Sequence, residues 1–445
     1  MATPRLTSDL SSWIDQLARL LDRRIAWRLL PILAGLLFAT GRRSVSSWLR
    51  AGNLSSDYQD YYYFLASLGR NVKSLAWGVG QTALNVVAPQ GRLLFAIDDT
   101  PSKRYGPKVE GAGVHHNPTP GPAGGEFLYG HVWVTLAWVV RHPLWNAIGL
   151  PLLARMYVRR KDIDGQLLTF LRGVTFQTKL EMAAGLITWV ANWLKFLGRA
   201  VWVVTDGAYA KRVFLEAAVA AGVVVVSRLR KDAALFDVPV APKRPVRGRP
   251  RKYGKKAISL AKRAGQQRGW QVETFLLYGK ETMKRYKTFL ATYKPAGGVI
   301  RVVLVKDDNG EWRAYFCTDT HATVREILEA VADRSALEQV FHDVKEVHGV
   351  GQAQTRNYWT NVAVYHLSLW LHTMIELWAW HRSANELVDR RQNPWDDNNR
   401  RPSHADRRNA LRRQCLEEEY SSGAAAGAIP RKIQRLWRRV VRLVA

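Results

Sequence analysis

Cysteine is nearly absent from this chain of 445 residues, which has only Cys317 and Cys415 and no Cys-x-x-Cys pair. This scarcity argues against a disulfide-stapled scaffold and a cysteine zinc finger, and it fits a reducing compartment. Acidic residues are also few, with 37 Asp and Glu against 66 Lys and Arg. The formal net charge of +29 points to a polyanionic partner, most often a nucleic acid.

Long uninterrupted apolar runs are missing as well. The stretch 28–39 is too short to span a bilayer, 131–154 contains Arg141-His142-Pro143, and 362–380 contains two histidines and a glutamate. The first residues, MATPRLTSDLSSW, lack the apolar segment of a signal peptide. We therefore expect a cytoplasmic protein with no membrane span.

Helical periodicity dominates residues 1–88, which we expect to form a helical N-terminal region that binds DNA. Within it, 41–68 reads as two short helices broken near Gly52-Asn53, with three arginines at the front. Two interpretations remain open for this segment. It is either a helix-turn-helix DNA reader or part of a plain helical bundle that packs on the next domain.

From residue 92 the pattern changes to strands, predicted at 92–100, 131–140 and 145–158, and then to a helix over 163–199. Residues 201–229 read as a strand–helix–strand crossover, which implies parallel strands. The Gly/Pro-rich stretch 111–125, with His115-His116, reads as a solvated loop. The predicted class is α/β, with three antiparallel strands, a helix and a parallel continuation, and we assign 89–229 to the first part of this core.

The remaining chain divides into three segments. Residues 230–320 form a basic, β-rich insertion with a hairpin signal at DDNGEW, 321–382 return to helix and complete the core, and 383–445 form a basic helical C-terminal region. The segment Arg247-Gly248-Arg249-Pro250 is either a minor-groove reader like an AT-hook or a solvated loop that contacts phosphates. The final IPRKIQRLWRRVVRLVA is a candidate amphipathic helix that docks on the body, a second protomer, DNA or a membrane surface.

Three carboxylates stand out by position. Asp98 and Asp206 each end a predicted strand, and strand ends of one sheet meet at one edge. Glu338 lies on a predicted helix face together with Arg334, His342 and Lys345. Such a set suits two Mg²⁺ ions roughly 3.5–4 Å apart and phosphoryl transfer, although spacing alone also allows ordinary strand-end carboxylates. Because neighbouring strand residues face opposite ways, Asp98 rather than Asp99 is the expected ligand.

The acidic motifs resemble those of the DDE transposases of bacterial insertion sequences, in particular the type-four superfamily and its type-701 relatives. Arg334-x3-Glu338-x6-Lys345 is similar to their Tyr-x2-Arg-x3-Glu-x6-Lys signature, with Val331 in place of Tyr. IDDT and VVTDGAY resemble the strands of the first and second acid, the latter with Tyr209 nearby. The resemblance covers about residues 90 to 380.

This resemblance implies an RNase H-like mixed sheet flanked by helices, with Asp98, Asp206 and Glu338 as catalytic residues and ligands of two Mg²⁺, for which Mn²⁺ can substitute. It implies cleavage at transposon ends and strand transfer into target DNA. The implied active form is a dimer that binds double-stranded DNA at terminal inverted repeats, in a bacterial protein associated with the nucleoid. The expected DNA contacts are Lys103, Arg104, Arg247, Arg249, Arg334 and Lys345. Trp312 is a candidate to stabilise a flipped base, or a buried hairpin residue. A non-catalytic DNA-binding relative and a nuclease that cuts without joining remain alternatives.

Overall fold

The computed structural model describes residues 3–54, 57–117, 124–164, 174–240, 251–307, 309–390 and 395–423, together with residues 433 and 437. Its helices number α1 to α15 in chain order: α1 Ser8–Ala18, α2 Arg23–Ala26, α3 Leu29–Phe38, α4 Val45–Ala51, α5 Tyr58–Arg70, α6 Val72–Val87, α7 Arg160–Asp164, α8 Lys179–Leu194, α9 Arg212–Ala220, α10 Leu260–Gly265, α11 Val324–Asp333, α12 Ser335–Glu346, α13 Tyr358–Ala379, α14 Ala384–Leu387 and α15 His404–Gly423. No helix in these ranges is both long and apolar enough to cross a membrane.

Twelve strands form one mixed sheet in the described residues. They are β1 Leu93–Lys103, β2 Gly113–His116, β3 Phe127–His142, β4 Asn146–Tyr157, β5 Val201–Thr205, β6 Val224–Leu229, β7 Leu235–Phe236, β8 Ala257–Ile258, β9 Gln271–Leu277, β10 Lys280–Tyr293, β11 Gly298–Lys306 and β12 Trp312–Cys317. The protein is therefore a mixed α/β structure whose large sheet is flanked by helices, which confirms the predicted class.

The core of the sheet has the strand directions predicted from the sequence. β3 pairs antiparallel with both β1 and β4, and β5 and β6 continue in parallel on the other side of β1. β5 is buried on both faces, and so is β6 from Val225 to Ser227, which explains their Val-rich sequences. Helix α8 begins at Lys179 after a capping box formed by Thr178 and Glu181, so the predicted helix starts later than the apolar pattern suggested.

One difference concerns the predicted solvated loop after β1. Gly113–His116 form β2, which pairs with the first residues of β3. His116 is exposed, and His115 is half-buried with its ring edge against Tyr157. A four-residue edge strand rich in Gly and His has no apolar alternation, so its sequence gave no strand signal.

The predicted insertion does not form a separate sheet. Its last strand, β12, pairs antiparallel with β6, and β11, β10 and β7 follow in order, so the strand pairing runs without a break out of the core. The predicted hairpin joins β11 to β12, and Trp312 starts β12 half-buried with the Lys231 ammonium 5.2 Å from its ring centre. The domain boundaries themselves stay predictions.

Helix α13 is the centre of the helical part. All but one of its 22 residues are buried, and α1, α3, α5, α6, α12, α15 and β4 pack around it. Helix α5 buries Phe64, Leu65 and Leu68 on one face, and α4 packs on α3. This packing is what the helical-bundle interpretation of 41–68 expects. DNA binding by this region stays a prediction.

The basic C-terminal region is partly folded onto this centre. Helix α15 packs on α13 and α3, and its arginines 407 and 408 are buried, the first against Glu376 and the second against the carbonyls of Leu37 and Ala39. These arginines therefore stabilise the body instead of facing a polyanion. The proposed amphipathic tail lies outside the described residues except for positions 433 and 437, where the Trp437 ring stacks on Tyr420.

Candidate active site

Asp98 and Asp206 occupy equivalent positions on neighbouring parallel strands. The β1–β5 ladder ends with the pair Ile97 and Thr205, and each acid is the next residue along its chain. The Ser227 hydroxyl donates to the carbonyls of Thr205 and Asp206 and so fixes the end of β5. The convergence of strand ends at one sheet edge, predicted from the sequence, is thus present in the structure.

Asp98 is the more enclosed of the two carboxylates. Burial raises the pKa of Asp98 to about 6, the nearby Arg334 guanidinium opposes this, and the negative charges of Asp99 and Asp206 add to it. Asp206 is exposed at the sheet edge. The edge therefore carries a mostly buried carboxylate beside an exposed one, and the negative charge of Asp206 disfavours ionisation of Asp98.

Arg334 links the third acid to this pair. One nitrogen of its guanidinium lies 2.6 Å from Asp98 Oδ2 and another lies 2.6 Å from Glu338 Oε1. Arg334 immediately precedes α12, and Glu338 lies in the first turn of that helix with its side chain 57% exposed. One side chain thus brings Glu338 next to Asp98, although the two are 240 residues apart in sequence.

The two faces of α12 explain this arrangement. Leu337, Val340 and Val344 are buried on one side, whereas Arg334, Glu338 and Lys345 follow the other side at helical spacing. Lys345 Nζ donates a hydrogen bond of 2.7 Å to Thr100 Oγ1, two residues beyond Asp98 on β1. Burial lowers the pKa of Lys345. The predicted face of α12 therefore lies against the acidic strand end.

Asp99 points away from this cluster. Its carboxylate accepts a hydrogen bond of 2.8 Å from the Tyr209 hydroxyl and one of 2.6 Å from Lys179 Nζ, at the start of α8. Burial and the adjacent Asp99 raise the pKa of Tyr209, which keeps the phenol protonated. Asp98 and Asp99 thus face α12 and α8 on opposite sides of the sheet, as strand alternation requires.

The donor set suits hard divalent cations. Asp98, Asp206 and Glu338 offer carboxylate oxygens, the ligands that Mg²⁺ prefers, at one solvent-accessible edge. The cluster holds excess negative charge that Arg334 partly neutralises, and the raised pKa of Asp98 reflects a carboxylate that lacks water to stabilise it. These residues fit the ions that the resemblance implies.

The predicted basic contacts divide into different environments. Lys103 is exposed at the end of β1. Arg104 is buried, and one of its nitrogens donates to the Thr355 carbonyl at 2.6 Å and to Asn361 Oδ1 at 2.7 Å. Both terminal nitrogens of Arg104 thus hold the loop before α13, which argues against a direct contact with DNA and leaves that contact a prediction. Arg247 and Arg249 lie outside the described residues.

A basic cleft beside Asp206 was missed at the level of the sequence. It has a volume of about 330 Å³ and starts at Gly207, next to the acid. Its charged lining residues are Arg228, Arg230, Lys231, Asp232 and Arg313. The sequence showed a basic segment from residue 228 onward, but the contribution of Arg313 depends on the β12–β6 pairing, which carries it back to the core.

The comparisons with known proteins differ in what they show. No curated protein is similar enough in sequence to match it. Among solved structures, the cryo-EM structure of a piggyBac transposase synaptic complex with hairpin DNA is similar over 92% of this chain and 85% of that one, with 9% identity and a TM-score of 0.37. A likeness this weak supports no conclusion.

The family model is more informative. The model described as DDE superfamily endonuclease matches residues 16–287, a range that includes Asp98 and Asp206 and ends before Glu338. The match spans more than half of the 445 residues and agrees with the family that the acidic motifs resemble. The chain belongs to the DDE superfamily of endonucleases.

Proposed function

We propose that this protein is a DNA transposase that cleaves DNA at the ends of a mobile element and joins the freed 3′ ends to target DNA. The observation that carries the proposal is the meeting of Asp98 and Asp206 at paired strand ends, with Glu338 held beside them through Arg334. Membership of the DDE endonuclease superfamily supports the nuclease half of this activity. The joining half rests on the resemblance of the acidic motifs to those of transposases.

Asp98, Asp206 and Glu338 would hold two Mg²⁺ ions, or Mn²⁺ in their place. Bound there, the ions supply an activated water or 3′-hydroxyl and stabilise the leaving oxygen. Arg334 lies between two of the acids. On binding of ions and DNA its guanidinium is then free to pair with a phosphate of the scissile strand. Lys345, whose ammonium donates a hydrogen bond to Thr100, would bind a second phosphate.

Double-stranded DNA would run along the sheet edge that carries the acids. The cleft with Arg228, Arg230 and Arg313 opens next to Asp206, and the exposed Lys103 lies at the end of the strand that contains Asp98. Arginine and lysine side chains at these points would bind the phosphates that flank the cleavage site. Arg247 and Arg249 extend the basic surface in sequence and remain proposed DNA contacts. Cut-and-paste chemistry needs two DNA ends held together, so the proposed active form is a dimer on DNA.

An assay of cleavage and joining tests this function. Purified protein, DNA that carries the terminal inverted repeats of its element and Mg²⁺ should yield nicked ends and joined products. Asp206→Asn and Glu338→Gln should retain DNA binding and lose at least about 100-fold in cleavage rate. Glu346→Gln, an exposed acid on the same helix, is the matched control and should cleave normally.

The alternatives give different products in the same assay. A nuclease that cuts without joining would give nicked ends and no strand transfer. A non-catalytic DNA-binding relative would bind the ends and cut with neither Mg²⁺ nor Mn²⁺. Normal cleavage by Asp206→Asn would show that the acids are wrongly assigned.

A further inference from the structure

A second cluster of possible ligands lies inside the protein, on the side of α12 away from the acidic edge. Asp343 on α12, His372 on α13 and His404 on α15 are all buried, and one potential ligand atom from each lies within 4.8 Å of the other two. His348, from the turn after α12, is also buried, and its Nε2 lies 2.8 Å from Nε2 of His404. Four side chains with nitrogen or oxygen donors therefore converge from separate elements.

Neighbouring side chains orient these donors inward. Glu376 accepts a hydrogen bond of 2.6 Å from His404 Nδ1, and Arg407 pairs with its other oxygen at 2.5 Å. Because a carboxylate can only accept, His404 carries its hydrogen on Nδ1, and in the neutral ring the Nε2 lone pair faces the cluster. A carboxylate behind a histidine is the usual arrangement that fixes a metal-ligating imidazole.

A neighbouring side chain also orients the carboxylate of Asp343. Gln339 Nε2 donates to Asp343 Oδ1 at 2.8 Å, which leaves Oδ2 facing His372 Nε2 at 3.7 Å. In the part of the chain that the structure describes, the ion-pair contacts of Asp343 are with histidines alone, His342 at 3.3 Å and His372. Glu376 is neutralised by Arg407, so the buried negative charge that requires compensation is that of Asp343.

The cluster lies beside a cavity. It lines a cavity of about 260 Å³ between α12, α13 and the start of α15, with Gln339, Glu376 and Arg400 among its other lining residues. Asp343, His372 and His404 line this cavity, whereas His348 lies behind them.

We propose that Asp343, His372 and His404 bind a divalent transition-metal ion, with Zn²⁺ as the best candidate and His348 as a fourth ligand. Imidazole nitrogens with one carboxylate oxygen form a common Zn²⁺ donor set, whereas Mg²⁺ prefers oxygen alone. Bonds of about 2.0–2.2 Å to a tetrahedral ion place ligand atoms roughly 3.3–3.6 Å apart. Asp343 Oδ2 and His372 Nε2 already lie 3.7 Å apart, whereas His348 Nε2 and His404 Nε2, now joined by a hydrogen bond of 2.8 Å, would move apart when both bind the ion. The ion would tie α15 to the helix that carries Glu338, and this structural role is independent of the proposed transposase activity.

Metal analysis of the full chain tests the proposal. An Asp206→Asn, Glu338→Gln background removes two acids of the catalytic edge, so that retained Zn²⁺ reports on the buried cluster. After removal of metal with a chelator, reconstitution with Zn²⁺ and desalting, the expected content is about one Zn²⁺ per chain. Reconstitution with Co²⁺ should give the visible absorption of a four-coordinate site, and either ion should raise the melting temperature.

Variants decide whether the ion sits where we place it. His372→Gln and Asp343→Asn, each in the same background, should lose Zn²⁺ retention, the Co²⁺ absorption and the thermal shift, with circular dichroism to confirm folding. His321→Gln replaces an exposed histidine outside the cluster and should retain all three signals. If a variant does not fold, the Co²⁺ spectrum of the parent still decides between an ordered site and none. Absence of Zn²⁺ from the parent, or equal Zn²⁺ retention by a folded His372→Gln, would overturn the proposal and leave a hydrogen-bonded histidine–carboxylate network.

Discussion

At the scale of residues, Arg334 offsets part of the negative charge at the acidic edge. Three carboxylates within one site repel each other, and a guanidinium shared between Asp98 and Glu338 at 2.6 Å from each offsets part of that repulsion. The same side chain was expected to bind the DNA backbone. Both roles are compatible, because the metal ions that the acids are proposed to hold would replace the charge of Arg334 and release it toward a phosphate.

The raised pKa of Asp98 predicts a pH-dependent stability. Its folded pKa of about 6 exceeds the ordinary value of 3.8, so its favourable contribution is fully present below the lower value and is lost as pH rises through the upper one. Asp98→Asn cannot ionise and escapes this loss. Without divalent ions, the variant should therefore gain about 1–2 kcal/mol relative to the wild type between about pH 5 and 7.5. Urea unfolding of both proteins at both pH values measures this, and a difference that does not change with pH would contradict the shift.

The site illustrates what the sequence can and cannot predict. Strand alternation predicted that Asp99 faces away, and the rule that ends of parallel strands meet at one edge predicted that Asp98 and Asp206 lie together, because both follow from regular strand geometry. The sequence did not predict that Lys179 pairs with Asp99 or that Arg104 is buried against Asn361. These contacts join residues 80 and 257 positions apart. No local sequence pattern distinguishes a buried arginine that binds carbonyls from an exposed arginine that is available to bind DNA.

At the scale of elements, α12 carries residues of both candidate sites. Glu338 faces the sheet edge, and Asp343, five residues later, faces the interior between α13 and α15. The amphipathic pattern predicted the first face. It did not predict that Asp343 and the histidines on the other side would meet, since that requires the docking of α15 on α13.

The docking of α5 on α13 depends on Gly69. A Cβ atom at this position would collide with the backbone carbonyl of Trp359, which is part of α13 and cannot rotate aside. Gly69→Ala should therefore lower the free energy of unfolding by about 1–3 kcal/mol in urea titrations. Gly265→Ala, at a helical position with open space around it, is the control and should be neutral or slightly stabilising. A neutral Gly69→Ala would mean that the two helices are not in such close contact.

At the scale of the whole molecule, the basic residues behind the net charge of +29 lie in different environments. Arg104, Arg407 and Arg408 are buried and bind carbonyls or Glu376, whereas Arg228, Arg230, Lys231 and Arg313 line the open cleft beside Asp206. The continuous sheet explains how the cleft forms, because β12 brings residues of the insertion next to the end of β6. Net charge alone predicted a polyanionic partner, and the fold adds this cleft as a candidate surface for it.

The cleft predicts a salt-dependent binding term. Affinity for duplex DNA without terminal repeats should fall linearly on a log–log plot against salt concentration, with a slope of about −0.9 for each phosphate contact. Arg228→Ala should weaken binding and reduce the magnitude of the slope by about one. Arg212→Ala removes an exposed arginine that is already paired with Glu216, and it should change the slope less. Fluorescence anisotropy measures both, and an unchanged slope in Arg228→Ala would exclude the cleft as a phosphate site.

The central claim is that Asp98, Asp206 and Glu338 together hold the ions for cleavage. The most direct measurement is the cleavage of terminal-repeat DNA by Asp206→Cys with Mg²⁺ and with Mn²⁺, beside the wild type. A thiolate is a poor ligand for Mg²⁺ and a better one for Mn²⁺, and the two native cysteines are buried. We predict no cleavage by the variant with Mg²⁺ and recovery with Mn²⁺. Cleavage at the wild-type rate with Mg²⁺, or continued binding of DNA with no recovery in Mn²⁺, would contradict the account.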